Sequence, residues 1–342
     1  MAFFERFVDF SNDSVKLECF RFFDLNEKQY LDASDFTRLI ECLLNHNSAT
    51  LTESIANDLF VSFDLDADKK INEHEFENVW HNWIKPLIQP VTSFLIIDVQ
   101  NDFIDGSLAL KNCPAKQDGS EIVPLINELI NDIKFDVLAY SLDQHPADHI
   151  SFFENFQLHK LSEDNKKNGE DFKLFDTVSF HGPPQFKQIL WPTHCVAGTW
   201  GEQFHPNLKV PEGSIIIHKG TDPKIDSYSA FRDNIKSSIT ELHQRLQERQ
   251  VTHVFVCGLA YDHCVYSTAL DALDLGYATV VIEDACRGTD VESIKRVQNI
   301  LKSNNCVLAK LPEIEKFVNG KDIRIEFAMT LAKLNQRNSL IM

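Results

Sequence analysis

Phe94-Leu95-Ile96-Ile97-Asp98-Val99-Gln100-Asn101-Asp102-Phe103 is the stretch that decides the fold. An unbroken apolar run ending in an acid reads as a strand, Phe94–Val99, covered on both faces, because a half-exposed strand would alternate. Working outward, Phe135–Ser141, Ser214–His218, His253–Cys257, Ala278–Glu283 and Cys306–Ala309 repeat the pattern. Amphipathic segments at Ile122–Ile133, Asn234–Glu248, Val265–Leu275 and Val291–Lys302 lie between several of them. Strand and helix in alternation predict an α/β fold, a doubly wound parallel sheet with helices on both faces. Sites in such sheets form at the carboxyl ends of the strands.

The 342-residue chain is long enough for roughly two domains. Its net charge is −18, a field that repels nucleic acid and anionic membrane surfaces, so neither is an expected partner. Residues 1–90 hold 17 acidic and 8 basic side chains, half of that net charge in a quarter of the chain. They form an acidic unit suited to cations. Neither a signal-peptide core nor an apolar run of bilayer length is present. The expected setting is cytoplasmic, with the nucleus the second compartment. Eight scattered cysteines without a CxxC pair read as small buried hydrophobes, of which one or two carry chemistry.

Residues 5–85 read as helix, acidic loop, helix, repeated once, with loops starting at Asp24 and Asp64. A calcium-binding loop of twelve residues needs oxygen ligands at positions 1, 3, 5, 7, 9 and 12 and usually Gly at 6. The second loop, 64–75, supplies Asp64, Asp66, Asp68, the Lys70 carbonyl, Asn72 and Glu75, with Ile71 placed to pair with the neighbouring loop. Lys69 replaces the Gly and must accept a left-handed backbone. The first loop, 24–35, places Lys28 at a ligand position, Gln29 at the Gly position and a short Asp35 at the end. It is expected to pair structurally and hold no ion. Together the loops resemble an all-α EF-hand pair, with Ca2+ expected at the second loop. The bland reading is a pair that packs and binds no metal. Pro86 and Pro90 are expected to break the helices and mark the boundary. The division expected is 1–90, 91–312 and a C-terminal tail, 313–342. Weak helical spacing at Ile325, Ala328, Leu331 and Leu334 leaves that tail to pack on either domain or on a second copy. A homo-oligomer is therefore compatible with the sequence. Residues 154–190 are polar, with Glu163, Asp164, Lys166, Lys167, Glu170 and Asp171, and read as a long functional or disordered loop.

Four polar clusters fall where strands end: Asp98; Asp143 with His145; Lys219; and Cys264. A thiol opening a helix is expected to have a depressed pKa, and the amides there can hold an oxyanion. A nearby Lys would favour the thiolate and a carboxylate could take the proton. Asp143 and His145 alternate along one extended segment and so share a face. With His194 they make a two-His, one-carboxylate set that leaves coordination positions open. His149 and His181 are spare candidates.

Six segments in order then resemble one family. They are Ile97-Asp98-Val99-Gln100-Asn101-Asp102-Phe103; Asp143-Gln144-His145-Pro146 with His149-Ile150-Ser151-Phe152; Trp191-Pro192-Thr193-His194-Cys195-Val196; His218-Lys219-Gly220; Tyr228-Ser229-Ala230-Phe231; and Gly258-Leu259-Ala260 through Cys264. Residues 93–310 look like a nicotinamidase of the isochorismatase-like cysteine hydrolase superfamily. The resemblance implies a catalytic triad of Asp98, Lys219 and Cys264. It implies a divalent metal, Zn2+ being the usual one, on Asp143, His145 and His194. It implies a cis Leu259–Ala260 peptide with the Ala260 and Cys264 amides as oxyanion hole, and Phe103 and Trp191 around a pyridine ring. The implied reaction is hydrolysis of nicotinamide, a linear amide, to nicotinate and ammonia through a thioester, within NAD salvage. Gln144 stands where the family often has Trp, and His263 is a second departure; both bear on the pocket rim. Two alternatives compete: a sibling amidase of the superfamily, and a calcium-responsive interaction protein built on an inactive hydrolase.

Overall fold

A computed structural model describes the backbone of residues 3–7, 10, 12–165, 171–182 and 184–339, with side chains throughout except at 5, 13, 46, 48 and 334–339. The N-terminal part is helical. It runs α1 (Asp13–Phe23), β1 (Tyr30–Leu31), α2 (Ala33–Leu44), α3 (Glu53–Phe63), β2 (Ile71–Asn72) and α4 (Glu73–Val79). β1 and β2 pair antiparallel, Leu31 opposite Ile71, so the two loops are joined as a pair. A capping box closes the start of both α2 and α4, with Asp32 and Asn72 as N-caps. Phe20, Phe36, Phe60, Phe63, Phe76 and Trp83 fill the space between the helices. Pro86 does not break the helix. A π-type turn, Trp80–Ile84, leads from α4 into α5 (Lys85–Ile88). The widened turn absorbs the proline, which has no N–H to give and whose ring would crowd the preceding turn. The helix stops at Gln89, ahead of Pro90.

The second part runs β3 (Thr92–Ile97), α6 (Asn101–Ile104), α7 (Ile122–Asp132), β4 (Val137–Asp143), β5 (Thr177–Phe180), β6 (Phe186–Ile189), β7 (Ile215–Lys219), α8 (Leu242–Gln247), β8 (His253–Leu259), α9 (Tyr266–Asp274), β9 (Ala278–Arg287), α10 (Val291–Ser303) and β10 (Val307–Ala309). Two more helices, α11 (Leu311–Val318) and α12 (Ile325–Ser339), follow. Six strands form one parallel sheet in the order β10-β9-β8-β3-β4-β7. The order reverses direction between β3 and β8, which opens a crevice at their carboxyl ends. β3 is buried at every residue, as the unbroken apolar run requires.

All six expected strands form, several extending further at their carboxyl ends. Asn234–Glu248 is helical only over α8; ahead of it Ile235, Ser237 and Ser238 donate to the Asp233 carboxylate in polar turns. Residues 154–190 are not a structureless loop. They hold the β5–β6 hairpin and a small core of their own around Phe156, Val178 and Phe180. Lys166, Lys167 and Glu170 lie outside the described residues, as does the Leu334 side chain. No helix among the described residues is long and apolar enough to cross a membrane.

Candidate active site

Asp98 is the first residue past β3 and takes a left-handed backbone, φ +51°, a strained state for a residue with a Cβ. It is fully buried. The Ser141 hydroxyl donates to one of its oxygens at 2.6 Å. The other lies 2.9 Å from the Lys219 ammonium. Lys219 ends β7, and its ammonium also donates to Asp143 at 2.6 Å, to the Ser227 carbonyl at 3.0 Å and to the Cys264 sulfur at 3.4 Å. Cys264 sits in the π-type turn Tyr261–Val265 that leads into α9. Asp98, Asp143 and Cys264 bring one ligand atom each within 4.8 Å of one another. The crevice thus brings together Asp98, Lys219 and Cys264, carried by the carboxyl ends of β3 and β7 and by the turn that follows β8.

The electrostatics correct one expectation. Burial pushes the Cys264 thiol well above its ordinary pKa, and Lys219 only partly offsets this. The dry surroundings outweigh the helix terminus and favour the thiol over the thiolate. Burial also raises Asp98, to about 6, against the pull of Lys219. A carboxyl near neutrality can both take and return a proton. Burial would raise Asp143 as well, but Lys219 and His145 hold it below the usual carboxylate range.

The second cluster shares Asp143. His145 Nε2 lies 3.6 Å and His194 Nε2 4.0 Å from the Asp143 oxygen that does not face Lys219. The two imidazoles spend their Nδ1 atoms on the Gly220 and Pro192 carbonyls, each at 2.8 Å. A Cβ on Gly220, φ +66°, would fall 2.3 Å from the His145 ring, so only glycine lets that carbonyl approach. With Nδ1–H donating outward, each Nε2 is the atom turned toward Asp143 and carries a lone pair when its ring is neutral. Burial and the neighbouring His145 hold His194 neutral, its pKa down to about 4. These donors fit a divalent cation. Among the described residues His149 stacks on His145 at 4.1 Å, and its buried Nε2 has no partner; His181 is exposed in the hairpin region and joins no cluster.

Phe103, Trp191, His194, Ala260, His263 and Cys264 are among the residues lining one narrow cleft. Its walls are aromatic and its floor carries the thiol. The Leu259–Ala260 peptide is cis. Trp191 donates its indole N–H to the Tyr228 hydroxyl, 3.1 Å, and meets His263 edge to face at 4.9 Å.

Sequence reasoning missed several supports. Gln100, wholly buried, clamps the Asp143 backbone by donating to its carbonyl and accepting its N–H, both at 2.8 Å. Asp102 accepts the Cys195 N–H at 2.7 Å and so fixes the loop bearing His194. Asp226 lines the cleft and takes the Gln188 amide at 2.8 Å. Gln100 and Asp102 sit in the stretch that decided the fold, directly past its strand, and that position was the available signal. Asp226 lies in an irregular loop with no periodicity to flag it.

Loop 64–75 brings carboxylate oxygens of Asp64, Asp66 and Glu75 within 4.8 Å of one another. Lys69 is left-handed, φ +67°, as its position demands, and Ala67 is too, at +59°. Asp68 lies outside that set and accepts the Lys70 N–H at 2.8 Å, while Asn72 caps α4. In loop 24–35 the Lys28 ammonium lies 2.5 Å from Asp32 and 2.6 Å from Asp35.

The isochorismatase domain model matches residues 92–308, and an EF-hand domain pair matches 16–80. The nicotinamidase of Acinetobacter baylyi is 38% identical over 201 residues, 58% of this chain and 82% of that protein. The Escherichia coli nicotinamidase is 35% identical over 59% of this chain and 86% of its own length. The solved structure of an Acinetobacter baumanii nicotinamidase and pyrazinamidase superposes with a TM-score of 0.56 at 34% identity, covering 66% of this chain and 98% of that one. This chain belongs to the isochorismatase-domain family and carries an EF-hand pair ahead of that domain.

Proposed function

We propose that the chain is a nicotinamidase, hydrolysing nicotinamide to nicotinate and ammonia through a thioester on Cys264. That it is a hydrolase acting on an amide follows from its family and relatives; the choice of amide is the proposal. One observation carries it: a buried lysine whose ammonium touches two carboxylates and the Cys264 thiol, with that thiol lining a cleft walled by Phe103, Trp191 and Tyr228.

In the proposed reaction Phe103 and Trp191 hold the ring and direct its carboxamide at Cys264. Asp98 takes the thiol proton as sulfur attacks the carbonyl carbon, and Lys219 offsets the charge on the ion-paired cluster. The Ala260 and Cys264 amides receive the oxyanion. Asp98 returns the proton to nitrogen, the C–N bond breaks, and ammonia leaves a thioester. Asp98 then takes a proton from water, whose oxygen adds to the acyl carbon; the C–S bond breaks and the thiol is restored. Asp143, His145 and His194 would hold a divalent cation, Zn2+ being the proposed one, which when bound supplies Lewis acidity beside the ring. Nicotinate is a precursor for pyridine nucleotide synthesis, which places the reaction in NAD salvage.

The proposed division is 1–90 for the EF-hand pair, 91–312 for the hydrolase and 313–342 for the C-terminal tail. Loop 64–75 is the proposed Ca2+ site, with ligands from Asp64, Asp66, Asp68, Lys70, Asn72 and Glu75. An ammonia-release assay across nicotinamide, pyrazinamide and ureido compounds tests the substrate. Turnover confined to a ureido compound would assign the chain to a sibling amidase.

A further inference from the structure

The C-terminal helix is held from two sides. On one side α12 packs against α3, the helix that enters loop 64–75, and against the Trp80–Ile84 turn that continues α4, the helix that leaves it. Trp83, fully buried, donates its indole N–H to the Ala328 carbonyl at 2.8 Å. Met329 and Ala332 share a cleft with Leu59 and Val61 of α3. On the other side α12 packs on β9. Phe327 meets His253 at the start of β8 at 5.1 Å and Phe317 of α11 at 5.6 Å. The turn leading into α12 is tied to the same region. Asn47, between α2 and α3, donates to Asp322 and to the Ile323 carbonyl at 2.7 and 2.9 Å. A Cβ on Gly320, φ +63°, would lie 2.4 Å from the Ile88 carbonyl oxygen, so this turn lies directly on the chain leaving α5.

A helix laying an apolar face, here Ala328, Met329 and Ala332, against one helix of a hand and the turn that extends the other resembles the way a hydrophobic groove grips a target helix. Here the target is part of the same chain, and its far side rests on the catalytic sheet. Glu75 links loop to grip. One of its oxygens accepts the Leu65 N–H, just past α3, at 2.8 Å, and the other accepts the Asn72 N–H at the start of α4, at 3.0 Å. A cation drawing on both oxygens would act on the angle between α3 and α4. Loop 24–35 cannot carry this signal, because Lys28 already lies between Asp32 and Asp35.

We propose that α12 is the resident target helix of the second hand, and that Ca2+ in loop 64–75 tightens the hand's hold on it. The proposal rests on the calcium reading above. Linkage is reciprocal, so the factor by which Ca2+ favours the docked helix is the factor by which docking favours Ca2+, and a variant that undocks α12 must weaken Ca2+ binding.

The test uses the intact chain. Ca2+ binding is measured by calorimetry, and hydrogen exchange of residues 325–333 is compared in excess Ca2+ and in chelator, with β8 and β9 as internal reference. Protection of α12 is expected to rise about five-fold or more relative to the sheet, and Glu75→Gln is expected to remove both the binding and the change. Trp83→Phe keeps the ring and deletes the donor to Ala328; it is expected to weaken Ca2+ binding several-fold. Ca2+ binding with α12 exchange unchanged or faster, and with Trp83→Phe affinity unaltered, would overturn the linkage alone. Absence of Ca2+ binding would overturn the calcium reading and the linkage with it.

Discussion

Two lysines in this molecule each sit between two aspartates, and they do opposite things. Lys28 lies in loop 24–35, 2.5 Å from Asp32 and 2.6 Å from Asp35, at a surface where its side chain is 19% exposed and that of Asp32 is 42% exposed. Lys219 lies at the end of β7 with a fully buried side chain, between Asp98 and Asp143. Around Lys28 the hydrogen bond to Asp32 comes first in raising the lysine and lowering the aspartate. The charges satisfy one another and a cation has no place. Around Lys219 burial opposes every charge, so the pairs are held by geometry, and Asp98 ends near neutrality instead of deep in its ionised range. Water stabilises the first arrangement, and its exclusion from the second is what the proposed chemistry draws on. The Cys264 sulfur, 3.4 Å from Lys219, has no counterpart beside Lys28.

The comparison can be broken at several points. Cys264→Ala is expected to lower amide turnover by at least about a thousand-fold with an unchanged melting temperature. Turnover near the wild-type level would remove the nucleophile from the account. Lys219→Met leaves two buried carboxylates facing each other, and denaturant unfolding should show a loss of about 3–5 kcal/mol together with the activity. His194→Ala is expected to reduce bound metal and turnover in step, read by elemental analysis and assay of one preparation. For the pH profile the sign follows from Asp98. Its carboxyl, raised by burial to about 6, must be ionised to take the thiol proton, so kcat/KM should fall about tenfold per pH unit below 6 and level off above it. The smallest effect is expected at the other lysine. Lys28→Met removes the surface pair with Asp32 and one partner of the buried Asp35, which Arg38 still holds at 2.8 Å, so stability should fall by only about 1–2 kcal/mol, and nicotinamide turnover should be unaltered.

Much of this was legible because strands buried on both faces leave unbroken apolar runs, and because the polar residues that end them mark the crevice. Asp98, Asp143, Lys219 and Cys264 were all visible as strand-end residues. The charge at Lys28 and the length of Asp35 likewise announced a loop that binds its own cation. Less legible were features set by partners far along the chain. The thiol of Cys264 was expected to be depressed because a helix terminus can be read locally, whereas burial from every side cannot. Pro86 was read as a breaker because the widened turn that accommodates it depends on packing around Trp80 and Trp83. The β5–β6 hairpin hid behind a polar composition, since its core is assembled from residues as far apart as Ile150 and Leu190. Spacing at Ile325, Ala328 and Leu331 marked a helix, but only the fold places it between the second hand and the sheet.

The central claim is that the buried Asp98–Lys219–Cys264 cluster hydrolyses nicotinamide. The most direct test incubates the purified intact chain and its Cys264→Ala variant with nicotinamide, follows nicotinate and ammonia, and traps the acyl group on the protein by rapid acid quench for mass spectrometry. Equal release of the two products by the wild type, with an acyl adduct mapped to Cys264 and none in the variant, is the predicted result. Nicotinate formation by the variant at the wild-type rate, or no nicotinate from the metal-loaded wild type, would contradict the account.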